Sequence, residues 1–109
     1  LFCIHLVEST GCIWIGTDLP GKSIVVVNSK GKVLPNYQAV GQAHRKKVNA
    51  IIESNGLIWS CSSDRTIMIW TLDGENVRLL QGHTGPIFSI AECGQHVWSA
   101  SWDKKVILW

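Results

Sequence analysis

No aliphatic run in the 109-residue chain is longer than Ile24–Val27, against the roughly 20 apolar residues that a membrane-spanning helix needs. The opening residues, Leu1 to Val7, have no basic leader or cleavage site, so they do not read as a signal peptide. No pair of the four cysteines has C-x-x-C spacing, which removes the usual zinc framework. Cys3, Cys12 and Cys61 instead align with small or apolar positions elsewhere in the chain, Val48, Leu57 and Ala100, and read as reduced core residues. There is no glycine-rich phosphate cradle and no nucleophile-elbow phrase, and no stretch keeps a helical period. Neither a cofactor nor a metal is expected. What the chain does have is 46% hydrophobic residues, ten glycines and six tryptophans with a net charge of +2, the balance of a packed intracellular all-β unit.

Its dominant feature is internal. Shifted by 39 residues without a gap, His44 falls on His83, Val48 on Ile87, Ile51 on Ile90, Glu53 on Glu92, Trp59 on Trp98, Ser60 on Ser99, Asp64 on Asp103 and Trp70 on Trp109. A period near 40 residues with His, Asp and Trp at fixed offsets points to a propeller array. A weaker copy precedes it: with a shift of 45, Cys3–Trp14 lies over Val48–Trp59, placing Glu8 on Glu53 and Gly11 on Gly56. Within one repeat, β-branched and apolar runs are punctuated by Gly, Asn, Asp and Ser. Strands are expected near Val48–Glu53, Leu57–Ser62, Thr66–Thr71 and Val77–Gln81. The run Thr66–Trp70 is apolar on both faces, as in a sheet packed between two others.

The phrases Gly82-His83-Thr84-Gly85-Pro86, Trp98-Ser99-Ala100-Ser101-Trp102-Asp103 and Trp59-Ser60-Cys61-Ser62-Ser63-Asp64, each of the last two running on to a Trp six residues later, resemble WD40 repeats. The Trp-Asp dipeptide that names the family is missing, since Thr71 follows Trp70 and Trp109 ends the chain. The resemblance implies four-stranded antiparallel propeller blades: a degenerate one over 1–40, a full repeat over 41–81, and a repeat lacking its last strand over 82–109. Closed propellers usually have four to eight blades, so the chain is expected to be a fragment. The remaining blades would come from the same longer polypeptide or, as the lesser option, from other copies.

Two readings exist for the polar residues inside each repeat. His44, Ser60 and Asp64, and again His83, Ser99 and Asp103, are the residue types of a hydrolytic triad. The serines, however, lie mid-strand after a bulky Trp, and the set occurs twice. The family resemblance implies the other reading: two structural tetrads, His44-Ser60-Asp64-Trp70 and His83-Ser99-Asp103-Trp109, each a buried hydrogen-bonded relay. No enzyme activity is expected.

The resemblance also implies which loops share a face. Its top would collect Arg45, Lys46, Lys47, Arg65, Lys104, Lys105 and Lys22, seven of the ten basic residues. Asp64 and Asp103 belong to the tetrads, Asp18 is the only other acid near them, and Glu8, Glu53, Asp73, Glu75 and Glu92 lie opposite. The two faces are expected to carry opposite charge. Arg45, Lys46, Lys47, Arg65, Trp102 and Lys104 are the candidates for partner contact, with acidic or phosphorylated proteins or peptides as the fitting partners. Simple solvation of these loops, and packing of Trp102 on a neighbouring blade, are the competing readings.

The leading function is therefore a non-catalytic protein-interaction scaffold in the cytoplasm, with the nucleus also compatible. The alternative is a targeting module of a larger signalling enzyme or exchange factor. The phrase Ile13-Trp14-Ile15-Gly16-Thr17 resembles propellers attached to some Rho exchange factors and scaffolds. RNA or anionic-lipid binding is a minor third option, because the basic residues are not interleaved with stacking aromatics.

Overall fold

The computed structural model describes residues 3–7, 10–18, 23–34 and 44–109. They form ten strands: β1 (Cys3–Val7), β2 (Cys12–Gly16), β3 (Ile24–Val27), β4 (Val48–Ser54), β5 (Leu57–Ser62), β6 (Thr66–Trp70), β7 (Asn76–Gln81), β8 (Ile87–Cys93), β9 (His96–Ser101) and β10 (Val106–Leu108). No helix long and apolar enough to cross a membrane occurs among the described residues. The strands make three antiparallel sheets, β1-β2-β3, β4-β5-β6-β7 and β8-β9-β10, each ordered as in sequence. The three sheets are the three blades.

Turn chemistry explains the punctuation. Asn55-Gly56 joins β4 to β5 with both residues at positive φ (53° and 75°), the conformation a two-residue hairpin turn demands and Asn-Gly supplies. The connections after β5 and β9 share a different turn. There Ser63-Asp64-Arg65 and Trp102-Asp103-Lys104 end in left-handed residues, Arg65 at φ 75° and Lys104 at φ 68°. Because the strands alternate in direction, these two turns share one end of the blades with the segments entering β4 and β8. We call that end the top. The turns at 54–57, 71–75 and 93–96 lie at the bottom.

Blades pack face to face. Between the first and second, Val7, Trp14, Ile24 and Val26 meet Val48, Ile51, Ile58 and Trp70, with Trp14 and Ile58 fully buried. Between the second and third, Cys61 and Ile67 meet Ile87, Ile90 and Val97, flanked by Ile52, Trp59 and Trp109. Each fully buried large side chain contributes about 1.5–3 kcal/mol, so these two seams hold the blades together. Strand β6 serves both, with Ile67 in one seam and Trp70 in the other. Burial of the Cys61 thiol in its seam pushes its pKa up to about 12 and leaves it unreactive. Cys3, partly buried beside Gly16 and Val48, is also raised by burial.

The 45-residue shift holds for β2 but not for β1. Val7 pairs with Cys12 across four intervening residues, whereas Ser54 pairs with Leu57 across two. Strand β1 therefore slides by two positions, so Cys3 takes the place of Ala50 rather than Val48, and His5 that of Ile52. Glu8 lies outside the described residues. A bulge lies at Asn49, between the Val48 and Ala50 pairings.

Gly16 makes a close approach at the first seam. A β-carbon there would collide with Cys3 Sγ and stand 2.9 Å from the Val48 carbonyl oxygen. Gly16→Ala should destabilise the chain by about 1–3 kcal/mol, the usual range for overpacking. A urea titration beside the unaltered chain measures it, and an unchanged midpoint would mean the seam is loose.

Candidate functional site

The polar residues of the second blade form one continuous chain of hydrogen bonds. Trp70 Nε1–H donates to Ser60 Oγ at 3.0 Å, and Ser60 Oγ lies 2.8 Å from His44 Nε2. His44 Nδ1 lies 3.0 Å from Asp64 Oδ2. Since a carboxylate only accepts, Nδ1 carries the proton, and Nε2 is left to accept from the serine hydroxyl. Asp64 also accepts from the Arg45 and Thr66 backbone N–H groups, both at 3.0 Å, and from the Thr66 hydroxyl. Strands β5 and β6 and the segment entering β4 are thereby tied at the top of the blade.

The third blade repeats the arrangement. Trp109 Nε1–H donates to Ser99 Oγ at 2.8 Å, His83 Nε2 lies 2.7 Å from that oxygen, and His83 Nδ1 lies 2.8 Å from Asp103 Oδ2. Asp103 accepts from the Thr84 N–H at 3.0 Å and the Lys105 N–H at 2.8 Å. The His83 and Trp109 rings meet edge to face. Both imidazoles are completely buried, and Ser60 and Ser99 are 0% and 1% exposed. Both serine oxygens are thus bonded on two sides, by an indole and an imidazole, and closed off from solvent.

Desolvation by itself would raise the two carboxyls. At Asp64 the hydrogen bonds from His44, Thr66 and the Arg45 amide reverse it and hold the group well below the usual carboxylate range. At Asp103 those from His83, Thr84 and Lys105 bring it down to about 2.

A second pair of serines went unnoticed in the sequence. The Ser62 hydroxyl donates to the Lys47 carbonyl at 2.8 Å and accepts the Asp64 N–H at 3.1 Å. Ser101 does the same with Pro86 at 2.8 Å and Asp103 at 3.1 Å. These serines are also 39 residues apart, so the repeat itself carried the signal.

Of the partner-contact candidates, Arg45, Lys46, Arg65 and Lys104 are exposed at the top with Lys105, and Lys47 is half-buried. Lys22 lies outside the described residues. Trp102 is 74% exposed and rests on Phe88, ring centroids 5.7 Å apart. In the preceding blade those two positions hold Ser63 and Asn49, and the Asn49 amide donates to Ser63 Oγ at 3.0 Å and to the Ile87 carbonyl at 2.7 Å. An aromatic pair thus stands where the earlier joint has a polar bridge. Opposite charge on the two faces is found only in part. Glu53, Asp73, Glu75 and Glu92 belong to the bottom, but the first blade's bottom turn carries Lys30 and Lys32, because β3 also runs downward into its turn. Among the described residues no cluster of three or more His, Cys, Asp or Glu could hold a metal ion.

The depressed carboxyls give a pH signature. Both have folded values below their unfolded value near 3.8. Their contribution is complete above that value and is lost as pH falls toward 2, where the folded state must also take up the protons. The Asp64→Asn/Asp103→Asn double variant should be less stable at pH 7 and lose stability less steeply between pH 5 and 2. Urea midpoints across that range measure it, and parallel slopes for the two proteins would contradict the assignment.

The family model described as "WD domain, G-beta repeat" matches residues 36–71 and 74–109. A curated relative, a WD repeat-containing protein on the Y chromosome of Anopheles gambiae, is 49% identical over 55 residues, covering 49% of this chain and 5% of the relative. Two solved structures of computationally designed proteins are similar in fold. Ika8 has a TM-score of 0.74 and Ika4 one of 0.75, both at 20% identity over 97% of this chain, which covers 31% and 62% of them. The chain thus spans a small part of the relative and less than two thirds of either structure. With the family model matched over more than half its length, and with its two tetrads in register, this chain belongs to the WD40 family of G-beta repeats.

Proposed function

We propose that this chain is part of a non-catalytic interaction platform whose top loops hold an acidic protein or peptide. WD40 repeats are in general protein-interaction modules, which supports the class. The observation that carries the finer reading is the state of the top charges. Among the described residues Arg45, Lys46, Arg65, Lys104 and Lys105 make no ion pair. The acids beside them, Asp64 and Asp103, are turned inward onto histidines. Cations left without counter-ions on a rigid surface attract an acidic partner and speed its encounter. Trp102, projecting beside Lys104, offers an aromatic anchor. Four free thiols, two of them buried and one of these, Cys61, with a strongly raised pKa, fit a reducing intracellular setting.

A second reading concerns what else the chain meets. The repeat equivalents of Ile67 and Ile69, which are 0% and 6% exposed, are Val106 and Leu108, at 64% and 46%. Trp98 is 41% exposed, whereas Trp59 lies in the second seam. An uncovered apolar sheet face of this kind suits a further blade. The small share of the curated relative that the chain covers supports a module within a much longer polypeptide.

The test of the interaction reading is affinity for a labelled glutamate-rich decapeptide, measured by anisotropy at 50 and 200 mM salt against a glutamine control. The unaltered chain should bind the acidic peptide more tightly and lose affinity with salt. Arg45→Glu/Lys46→Glu should weaken binding at least tenfold with an unchanged melting temperature. Equal affinity for both peptides, or indifference to charge reversal, would refute an acidic-partner surface.

A further inference from the structure

We infer that the bottom face docks a second copy of this chain, the turn bearing Lys30 and Lys32 in each copy meeting the turn bearing Asp73 and Glu75 in the other. This goes beyond the interaction reading above, which concerns the opposite face. The observation behind it is one turn built twice with its charges inverted. After β3, Asn28 N–H donates to the Lys32 carbonyl and Gly31 N–H to the Asn28 carbonyl, both at 2.9 Å. After β6, Thr71 N–H donates to the Glu75 carbonyl at 2.9 Å and Gly74 N–H to the Thr71 carbonyl at 3.0 Å. The first residue also caps its own turn in both. Asn28 Oδ1 accepts the Lys30 and Lys32 N–H groups at 2.9 and 3.0 Å, and Thr71 Oγ1 accepts the Glu75 N–H at 3.1 Å. A left-handed glycine stands fourth in each, Gly31 at φ 80° and Gly74 at φ 91°.

With these backbones in register, Lys30 stands where the second blade has Asp73, and Lys32 where it has Glu75. All four residues are exposed, and none makes an ion pair among the described residues. The charges of the two turns are therefore not spent on each other, although the turns belong to adjacent blades. Glu53, another acid of the second blade's bottom, already faces His5 across the first seam at 3.7 Å. A face with a cationic and an anionic copy of one rigid turn is complementary to itself. A two-fold axis lying in the bottom plane, midway between the turns, sets the cationic turn of each copy on the anionic turn of the other, so the same contact forms twice. Exposed ion pairs are individually weak, so the dimer forms at high concentration and low salt. It leaves both top faces pointing outward, which doubles their valency for a partner.

The mass of the full chain in solution, by sedimentation equilibrium at millimolar concentration, tests this. It should approach two copies in about 50 mM salt and one copy in about 500 mM, where charges are screened within a few ångströms. Lys30→Glu/Lys32→Glu has two anionic turns and Asp73→Lys/Glu75→Lys two cationic ones. Each should be a monomer in low salt with an unchanged melting temperature. Mixed in equal amounts, they should regain the two-copy mass, because every anionic turn then meets a cationic one. The fourfold exchange, which inverts both turns in one chain, should dimerise by itself.

A one-copy mass for the unaltered chain in low salt would overturn the inference. Association that persists in high salt, or in either single-turn variant alone, would overturn it in favour of docking through the uncovered apolar face of the third blade. Melting temperatures lowered in both single-turn variants and recovered in the fourfold exchange, without any change of mass, would mean that the turns attract each other within one chain, and would overturn it as well. Assemblies of the mixture larger than two copies would contradict the two-fold arrangement.

Discussion

Burying an indole N–H without an acceptor is costly, and much of the second and third blades is arranged around supplying one. Trp70, which is buried, and Trp109, which is partly buried against the second seam, each point a donor inward, and a buried serine oxygen receives it. That serine in turn needs a histidine, and the histidine a carboxylate. Leaving any member without its partner would cost about 1–3 kcal/mol, so the chain of bonds is kept whole or absent. Corresponding bonds in the two blades agree to within 0.2 Å. The first blade shows the other solution. Strand register puts Ile15 and Val27 where the later blades have the serine and tryptophan, and the blade is held by packing through Trp14.

The relay also fixes the surface. Its acid end lies at the top, where Asp64 binds the Arg45 amide and Asp103 the Thr84 amide, so the segments entering β4 and β8 are fastened to the turns after β5 and β9. Ser62 and Ser101 fasten the same segments a second time. Side chains borne on these loops sit on a rigid frame, a condition for holding a partner without a large loss of entropy. Asp64 and Asp103, the acids nearest the cations of the second and third blades, are drawn inward by the same bonds, while Asp18 of the first blade stays exposed. A structural device thus leaves a cationic surface as its by-product.

The blades and both relays were legible because a 39-residue period places strands, turns and polar residues together, without depending on local propensity. Strand ends shifted by a residue or so, as with β4 running to Ser54 and β7 beginning at Asn76. Where the period weakens, legibility weakens with it. An ungapped comparison cannot register a longer connection, so β1 was read two positions out of register. The Phe88–Trp102 pair was invisible for a related reason: Phe88 occupies the bulge position, whose partner is chosen by the kink in the strand and not by spacing. The left-handed state of Arg65 and Lys104 belongs to turn geometry that neither residue type announces.

The account depends most on the two indoles being bonded inside their relays. Hydrogen exchange of the six indole N–H groups, followed by proton–nitrogen NMR at neutral pH, tests this directly. The N–H signals of Trp70 and Trp109 should exchange far more slowly than that of Trp102, which is 74% exposed. If Trp70 and Trp109 exchanged as fast as Trp102, the relays would not be closed in solution and the rigid top face derived from them would not stand.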